Sequence, residues 1–236
     1  MRTLLLLFFV FTSSSFGQEI WEFTETCKEH EAVVKIVSPR GKMGTGVVIE
    51  NKENIMTIIT VAHVVDFNQD GLPIQVAYST KHIFLGKLLY INIADDLAVI
   101  EAQGPENLKP LTLAEAIDKK DSFEAVGFGG SVDLRSWEIR HFKTKYLTFP
   151  SRAGSFSVFD SPVVPGDSGG PILNSKKEIV SLISNGKSSY NFVGLLNKAG
   201  KPVQVVWPCR GVKLSKIRKI LKDKPTIKRL KLHSNG

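Results

Sequence analysis

Short runs rich in β-branched and aromatic residues recur along most of the chain, and they limit the fold more than any other feature. Gly, Pro, Asn and Asp separate these runs, and such residues end strands and form turns. Strands at this spacing are typical of an all-β sandwich or barrel. With 42% hydrophobic residues among 236, the chain can bury a sizeable core. The predicted strands are 33–37, 45–50, 56–61, 74–79, 83–91, 97–102, 123–128, 156–161, 178–184 and 192–196.

One segment near the C-terminus has the periodicity of a helix instead. In residues 212–222, Leu214, Ile217 and Leu221 recur at helical spacing with basic residues between them. Pro225 follows, in a position that is common after a helix has ended. The sequence therefore predicts a C-terminal amphipathic helix.

The first residues have the features of a secretion signal. Arg2 provides a charged start, residues 4–11 form an apolar run, and Ser15 and Gly17 are small residues spaced as at a signal-peptidase site. The run is shorter than the roughly 20 residues that a membrane-spanning helix needs. We expect residues 1–17 to be a signal peptide, with a membrane anchor as the alternative, and the mature protein to be secreted or periplasmic.

Export would place both cysteines, Cys27 and Cys209, in a compartment that permits disulfides. A bridge between them would close a long loop and stabilise the fold by about 4–5 kcal/mol in the chain-entropy model, less any strain. A sequence contains no distance between two sulfur atoms. A Cys27–Cys209 disulfide is therefore the prediction, and two separate buried thiols are the alternative.

The positive charge of the protein is concentrated at its C-terminus. The formal net charge is +8 for the whole chain and +9 for residues 210–236 alone, so the rest sums to −1. Such a segment is commonly a solvated face. The functional alternative is that this segment binds an anionic polymer or a lipid surface. No specific nucleic acid partner is indicated. Residues 223–236 are treated as a basic tail that follows a folded domain of residues 18–222.

Residues 165–172, PGDSGGPI, place Ser168 between an acid and two glycines. The glycines give up side-chain packing and cost backbone entropy, so the segment is either a tight turn or a point where the backbone approaches another group closely. A serine hydroxyl is a poor nucleophile unless a base takes its proton and a third group holds that base in one tautomer. If Ser168 is a nucleophile, a histidine and an acid elsewhere in the chain must serve as its base and as the group that orients that base.

His63 and Asp96 are the candidates for these two roles. His63 lies near the end of an apolar run, in ITVAHVV (59–65), whereas the other four histidines lie in polar or charged surroundings. Asp96 begins a strand-like run in ADDLAVIEA (94–102), where Asp95 is its competitor. Taken alone, such a histidine is more often structural and such an acid more often belongs to a turn.

Together, the three segments resemble those of the chymotrypsin-like serine proteases. They occur in the order His63, Asp96 and Ser168, and GDSGGP matches the serine segment of that family letter for letter. ITVAHVV looks like its histidine segment, DLAV like its aspartate segment and TGVVIE (45–50) like the strand before the histidine. The resemblance implies two antiparallel six-stranded β-barrels and a C-terminal helix, with 18–222 as the protease domain.

The resemblance also assigns roles in a serine endopeptidase acting on proteins or peptides. Ser168 would attack the scissile carbonyl, His63 would take and return the proton, and Asp96 would orient the imidazole. The backbone N–H groups of Gly166 and Ser168 would form the oxyanion hole. No metal or cofactor is implied. The alternative is a catalytically silent protein of the same fold that binds peptides in its cleft or an anionic partner through its tail.

The chain departs from the digestive members of the family at the acid before the serine. In those members this acid, here Asp167, pairs with the amine of a new N-terminus, and no matching activation site occurs in residues 18–45. The sequence thus leaves Asp167 without its usual partner. In this respect the chain looks more like the bacterial high-temperature-requirement proteases, without the peptide-binding domain that follows the protease in that group.

The residues expected around the substrate come from the same resemblance. In the family, the strand after the serine loop pairs with the substrate backbone. Since Pro162 stands where an acid would favour Lys or Arg, we expect a small or medium apolar side chain before the cleaved bond. The predicted substrate-binding residues are Pro162, Val163, Ile183, Ser184, Asn185 and Gly186.

Overall fold

Antiparallel strands dominate the computed structural model, as the strand pattern predicts. It describes residues 22–24, 30–65, 71–79, 82–130, 139–147, 156–161, 163–184, 191–196, 202–206 and 209–222, with only the backbone for 22–24, 191–196 and 202–206. The elements in chain order are β1 (Glu22–Thr24), β2 (Val33–Val37), β3 (Met43–Lys52), β4 (Ile55–Thr60), α1 (Ala62–Val65), β5 (Ile74–Ser79), β6 (His82–Asn92), β7 (Leu97–Gln103), β8 (Phe123–Gly127), β9 (Ile139–Thr144), β10 (Phe156–Phe159), β11 (Pro171–Leu173), β12 (Ile179–Ser184), β13 (Asn191–Leu196), β14 (Pro202–Val206), β15 (Cys209–Lys213) and α2 (Leu214–Lys222).

The first half of the protein is a closed barrel of six strands in the order β2-β3-β4-β7-β6-β5. Closure pairs every strand on both sides and leaves no exposed edge. β4 and β7 run antiparallel with Ile58 opposite Ile100, and both side chains are fully buried. Burial of such aliphatic side chains inside the barrel is the main force that stabilises this half.

The second half is an antiparallel sheet in the order β1-β9-β8-β11-β12-β15-β10. A bridge between Tyr146, just beyond β9, and Phe159 of β10 joins the two ends of its six main strands. The Leu147 N–H donates to the Val158 carbonyl at 2.9 Å beside this bridge. These contacts complete a second six-stranded barrel, to which β1 adds at the edge of β9, and the prediction of two barrels is confirmed.

The C-terminal helix α2 packs its apolar face on the second barrel. On this face Leu214, Ile217 and Ile220 are buried. Leu221 is partly buried against the core that contains Ile217 and Ile220. Because this face contacts the protein interior, it is not free to enter a lipid surface. Residues 223–236, the predicted basic tail, lie outside the described residues. No described helix has the length and apolar character needed to cross a membrane.

All ten strands predicted from the sequence are present, whereas β1, β9, β11, β14 and β15 were not predicted. The sequence also extended the C-terminal helix back to Val212, which is wrong. Val212 lies in β15, opposite Leu182 of β12, and its side chain is fully buried. The helical spacing of the apolar residues continues by chance into a strand whose pairing is decided by its neighbours.

We expect Ile100→Ala to lower the free energy of unfolding by about 2–5 kcal/mol, because it leaves a cavity inside the first barrel. Ile83→Ala is the matched control, since Ile83 in β6 is 47% exposed. The control should change stability by no more than about 0.5 kcal/mol. Urea denaturation of both variants measures the difference, and equal losses would contradict this account of the core.

Candidate active site

His63 lies in α1, immediately after β4 of the first barrel. Its neighbours Ala62, Val64 and Val65 are buried and fix the helix to the barrel, while the His63 side chain remains 31% exposed. The Lys42 ammonium donates to the His63 carbonyl and secures the same turn. The imidazole is therefore held by a buried backbone but stays accessible from the cleft.

Asp96 holds the imidazole through two contacts from the turn between β6 and β7. His63 Nδ1 lies 2.9 Å from Asp96 Oδ2 and 3.1 Å from Oδ1, and the His63 backbone N–H donates to Oδ1 at 2.9 Å. A carboxylate at Nδ1 favours the tautomer with the proton there, which leaves Nε2 as the acceptor. Asp96 has a φ of 49°, an unusual conformation for a non-glycine residue.

Ser184, at the end of β12, is a third partner of this pair. Its hydroxyl donates to Asp96 Oδ2 at 2.5 Å. Burial raises the pKa of Asp96, but the bonds from His63 and Ser184 outweigh it and leave this pKa below its ordinary value. Asp96 is thus ionised at neutral pH, and the stability from these contacts is lost only as the pH falls through the lowered pKa.

Ser184 was predicted from the sequence as a substrate contact, and its bond to Asp96 was missed. The two residues are 88 positions apart. The only sequence signal for the contact is a hydroxyl at the end of a wholly buried strand, because a buried polar side chain requires a partner.

Asp95, the competitor of Asp96, lies away from the histidine. Its carboxylate accepts from the Lys216 ammonium at 3.0 Å and from the Asn92 side chain at 3.2 Å. It therefore ties the β6–β7 turn to α2. Asp96, and not Asp95, contacts His63.

Ser168 lies in a turn whose backbone is bonded to both barrels. The Ser168 carbonyl accepts the Thr45 N–H at 2.8 Å from the first barrel, and the Gly169 N–H donates to the Ile183 carbonyl at 2.8 Å in the second. A Cβ on Gly169 would lie 2.0 Å from the Thr45 carbonyl oxygen, so only glycine fits there. The serine is 6% exposed and is held where the two barrels meet.

The backbone N–H groups of the turn around Ser168 differ in their partners. Gly166 has a φ of 102°, which glycine adopts at low cost. Among the backbone pairs of the described residues, the N–H groups of Asp167, Gly169 and Gly170 have carbonyl acceptors, whereas those of Gly166 and Ser168 have none. These two N–H groups are the predicted oxyanion donors.

The histidine helix and the serine turn meet over β3. A Cβ on Gly44 would lie 2.5 Å from the Val64 side chain and 3.0 Å from the Ser168 carbonyl oxygen. Both segments therefore contact the same glycine, and the residues beside His63 and Ser168 are neighbours in space. The structure pairs His63 with Asp96 and places the Ser168 turn beside the helix that carries His63.

Asp167, which the sequence left without its usual partner, is paired with Arg140 of β9. The Arg140 guanidinium donates to Asp167 Oδ2 at 2.5 Å, and both side chains are buried, at 1% and 0% exposure. The backbone N–H groups of Gly129 and Val164 donate to the same carboxylate at 2.8 and 2.9 Å. Burial raises the pKa of Asp167, and Arg140 and these amides oppose that shift. An internal cation thus occupies the place of an N-terminal amine.

The remaining predicted residues divide between buried positions and undescribed ones. Val163 and Ile183 are fully buried in one core cluster. Pro162, Asn185 and Gly186 lie outside the described residues, as does Cys27. Cys209 is a buried free thiol, and burial raises its pKa, so the structure gives no support to the Cys27–Cys209 disulfide.

Residues 44–182 match the family model described as a trypsin-like peptidase domain. The chain belongs to the trypsin-like peptidase family. Within that family it is similar to proteins named serine protease HtrA-like from two strains of Staphylococcus epidermidis, at 28% identity over 168 residues. That alignment covers 65% of this chain but only 28% of each relative, so the chain spans about a quarter of their length.

Solved structures of an HtrA-type protease and of another serine endoprotease share the fold. The HtrA-type protease AlgW with a tripeptide has a TM-score of 0.60 and 17% identity over 82% of this chain and 60% of its own. A serine endoprotease from Yersinia pestis has a TM-score of 0.56 and 18% identity over 85% of this chain and 67% of its own. At such identities the likeness concerns the fold alone.

We expect Arg140→Met to lower the free energy of unfolding by about 3–5 kcal/mol, because it leaves the Asp167 carboxylate buried without a counter-charge. The double variant Arg140→Met with Asp167→Asn should lose less than the two single variants together, because both charges are gone. Arg40→Met, at an exposed position, is the matched control and should change stability by no more than about 0.5 kcal/mol. Denaturation curves of the four variants test this, and strictly additive losses would refute the pairing.

Proposed function

We propose that the protein is a serine endopeptidase in which Ser168, His63 and Asp96 act as the catalytic triad. The observation that carries this proposal is the pair of contacts from Asp96 to His63, at Nδ1 and at the backbone N–H. A single carboxylate thereby holds both the orientation and the tautomer of the imidazole. A structural histidine needs no such control, whereas a general base does.

Peptide bond hydrolysis would proceed in two steps. His63 Nε2 takes the Ser168 proton as Oγ forms a bond to the scissile carbonyl carbon, and the imidazolium then gives that proton to the departing amine. A water molecule attacks the acyl-enzyme, loses a proton to Nε2 and releases the acid, and Ser168 recovers its proton. Ionised Asp96 stabilises the imidazolium in both steps.

The backbone N–H groups of Gly166 and Ser168 would bind the oxyanion of each tetrahedral intermediate. Each such donor contributes about 2.7–4 kcal/mol in a serine protease where it has been removed. The buried pair of Asp167 and Arg140 supports this role, since Asp167 lies between the two donors and is anchored at 2.5 Å. We therefore assign Arg140 as a positioning residue for the oxyanion hole.

The substrate would be a protein or peptide segment in extended form. Residues up to Ile183 in β12 are bonded on both sides, to Gly169 and Gly170 and to β15, so a substrate strand could add only beyond this point. This agrees with the predicted backbone contacts at Ser184, Asn185 and Gly186. Val163 and Ile183 are fully buried in the core and would support this site from beneath rather than contact the substrate. We expect a small or medium apolar side chain before the cleaved bond. One similar structure was solved with a tripeptide, which suits such a site.

The protein would act outside the cytoplasm. This part of the proposal rests on residues 1–17, with their charged start, apolar run and small residues near the cleavage position. N-terminal sequencing of exported protein would detect cleavage after Gly17.

A fluorophosphonate probe, which reacts with an activated serine, tests the proposed activity directly. We expect the wild-type protein to be labelled and both Ser168→Ala and His63→Ala to abolish labelling. Asp96→Asn should slow turnover by about 10⁴-fold, as the equivalent change does in the family's type case. Asp95→Asn is the matched control and should remain within a few-fold of wild type, because Asp95 contacts Lys216.

Circular dichroism of each variant separates loss of activity from loss of folding. No labelling of folded wild-type protein would favour the catalytically silent binding protein instead. Loss of turnover in Asp95→Asn, with Asp96→Asn active, would overturn the assignment of the triad.

A further inference from the structure

Three potential metal ligands converge on the outer face of the second barrel, away from the triad. They are His30, shortly before β2, Glu124 in β8 and His141 in β9, and one ligand atom from each lies within 4.8 Å of the others. In the β8–β9 ladder, Glu124 is opposite Lys143 and Val126 is opposite His141. Since side chains two residues apart share a face, Glu124 and His141 are diagonal neighbours on one side of the sheet.

The most informative of the three is His30. Its side chain is 1% exposed, and neither of its ring nitrogens has a hydrogen-bond partner within the described part of the chain. The approach of His30 Nε2 to Glu124 Oε1, at 3.6 Å, is too long for a hydrogen bond. Burial of an imidazole without partners is costly, and each such group in a folded protein requires an explanation.

A bound cation provides that explanation. Zinc binds imidazole nitrogen at about 2.0–2.1 Å and carboxylate oxygen at about 2.0–2.2 Å in a tetrahedron, so two of its ligand atoms lie roughly 3.3–3.5 Å apart. The 3.6 Å between His30 Nε2 and Glu124 Oε1 is close to this spacing. Two imidazoles and one carboxylate are also a known donor set for zinc, with a water in the fourth position.

Glu124 is prepared for such a role by its neighbours. The Lys177 ammonium lies 2.6 Å from Oε2, while both histidines approach Oε1. The carboxylate is thus oriented by a second group and directed at the imidazoles, as ligating carboxylates commonly are.

His141 contacts Glu124 Oε1 through Nδ1 at 2.9 Å, the length of a hydrogen bond. A cation would replace the proton in this contact, with the remaining proton of the neutral ring on Nε2. Metal binding would then release that proton.

We propose that His30, Glu124 and His141 form a binding site for a divalent transition-metal ion of the zinc type. The site joins the segment leading into the first barrel to two strands of the second. It lies on the face of β9 opposite to Arg140, because adjacent residues of a strand point to opposite sides. A bound ion would therefore stabilise the strand that supplies the partner of Asp167. This proposal does not depend on peptidase activity.

Zinc titration of the metal-free full chain by calorimetry, at pH 7.5, tests the site. We expect binding of one ion per chain and a rise in Tm of about 5–10 °C at a zinc concentration roughly 100-fold above Kd. Glu124→Gln, His141→Ala and His30→Ala should each abolish the saturable binding and the rise in Tm. His82→Ala is the matched control, since His82 lies in β6 and contacts Ser79, and it should bind zinc normally.

His63→Ala should also retain zinc binding, because this variant disrupts the His63–Asp96 pair, a second place where zinc could bind. If His30→Ala does not fold, Glu124→Gln and His141→Ala carry the test. Binding that survives these substitutions, or no stoichiometric binding to the wild-type protein, would overturn the proposal. Cobalt substitution gives a second readout, since a tetrahedral site should produce an absorption band that is lost in Glu124→Gln.

Discussion

The buried ion pair between Arg140 and Asp167 is the interaction on which the geometry of the site depends. Asp167 lies directly before Ser168, and its carboxylate receives two backbone N–H groups as well as the guanidinium. These bonds fix the turn in which the amides of Gly166 and Ser168 are left without carbonyl acceptors among the described residues. Buried ion pairs contribute little net stability, and the value of this pair is positional, since it holds the turn in one conformation.

A second constraint is the meeting of the two barrels at the site. The first barrel supplies His63 and Asp96, and the second supplies Ser168 and, at the end of β12, Ser184. The contact from Ser184 to Asp96 and the bond between Thr45 and Ser168 both cross this boundary. The relative position of Ser168 and His63 is therefore set by the packing of two barrels rather than by any single loop. The proposed metal site would add a third crossing on the outer face.

Much of the architecture could be predicted from local sequence. Strands such as β2 and β5 coincide with the predicted runs at both ends. Short runs rich in β-branched residues and bounded by turn residues indicate both the strand and its limits. β9 was missed because Arg140, His141 and Lys143 interrupt its apolar pattern. The polar residues of β9 are explained by their partners on the two faces of the strand, since Arg140 contacts Asp167 and His141 contacts Glu124. Val212 and Lys213, the last two residues of β15, were assigned to the helix because short apolar spacings fit both a helical and a strand period.

By itself, the sequence determined the all-β class, the C-terminal helix and the identity of Ser168, His63 and Asp96 as candidates, since each depends on neighbours within a few residues. The tertiary structure alone decided the partner of Asp167, the role of Ser184 and the convergence of His30, Glu124 and His141. These are pairings of polar side chains between strands that are distant along the chain. A buried polar group must find a partner, but which partner it finds depends on which strands the fold makes adjacent, and the chain order does not contain that information.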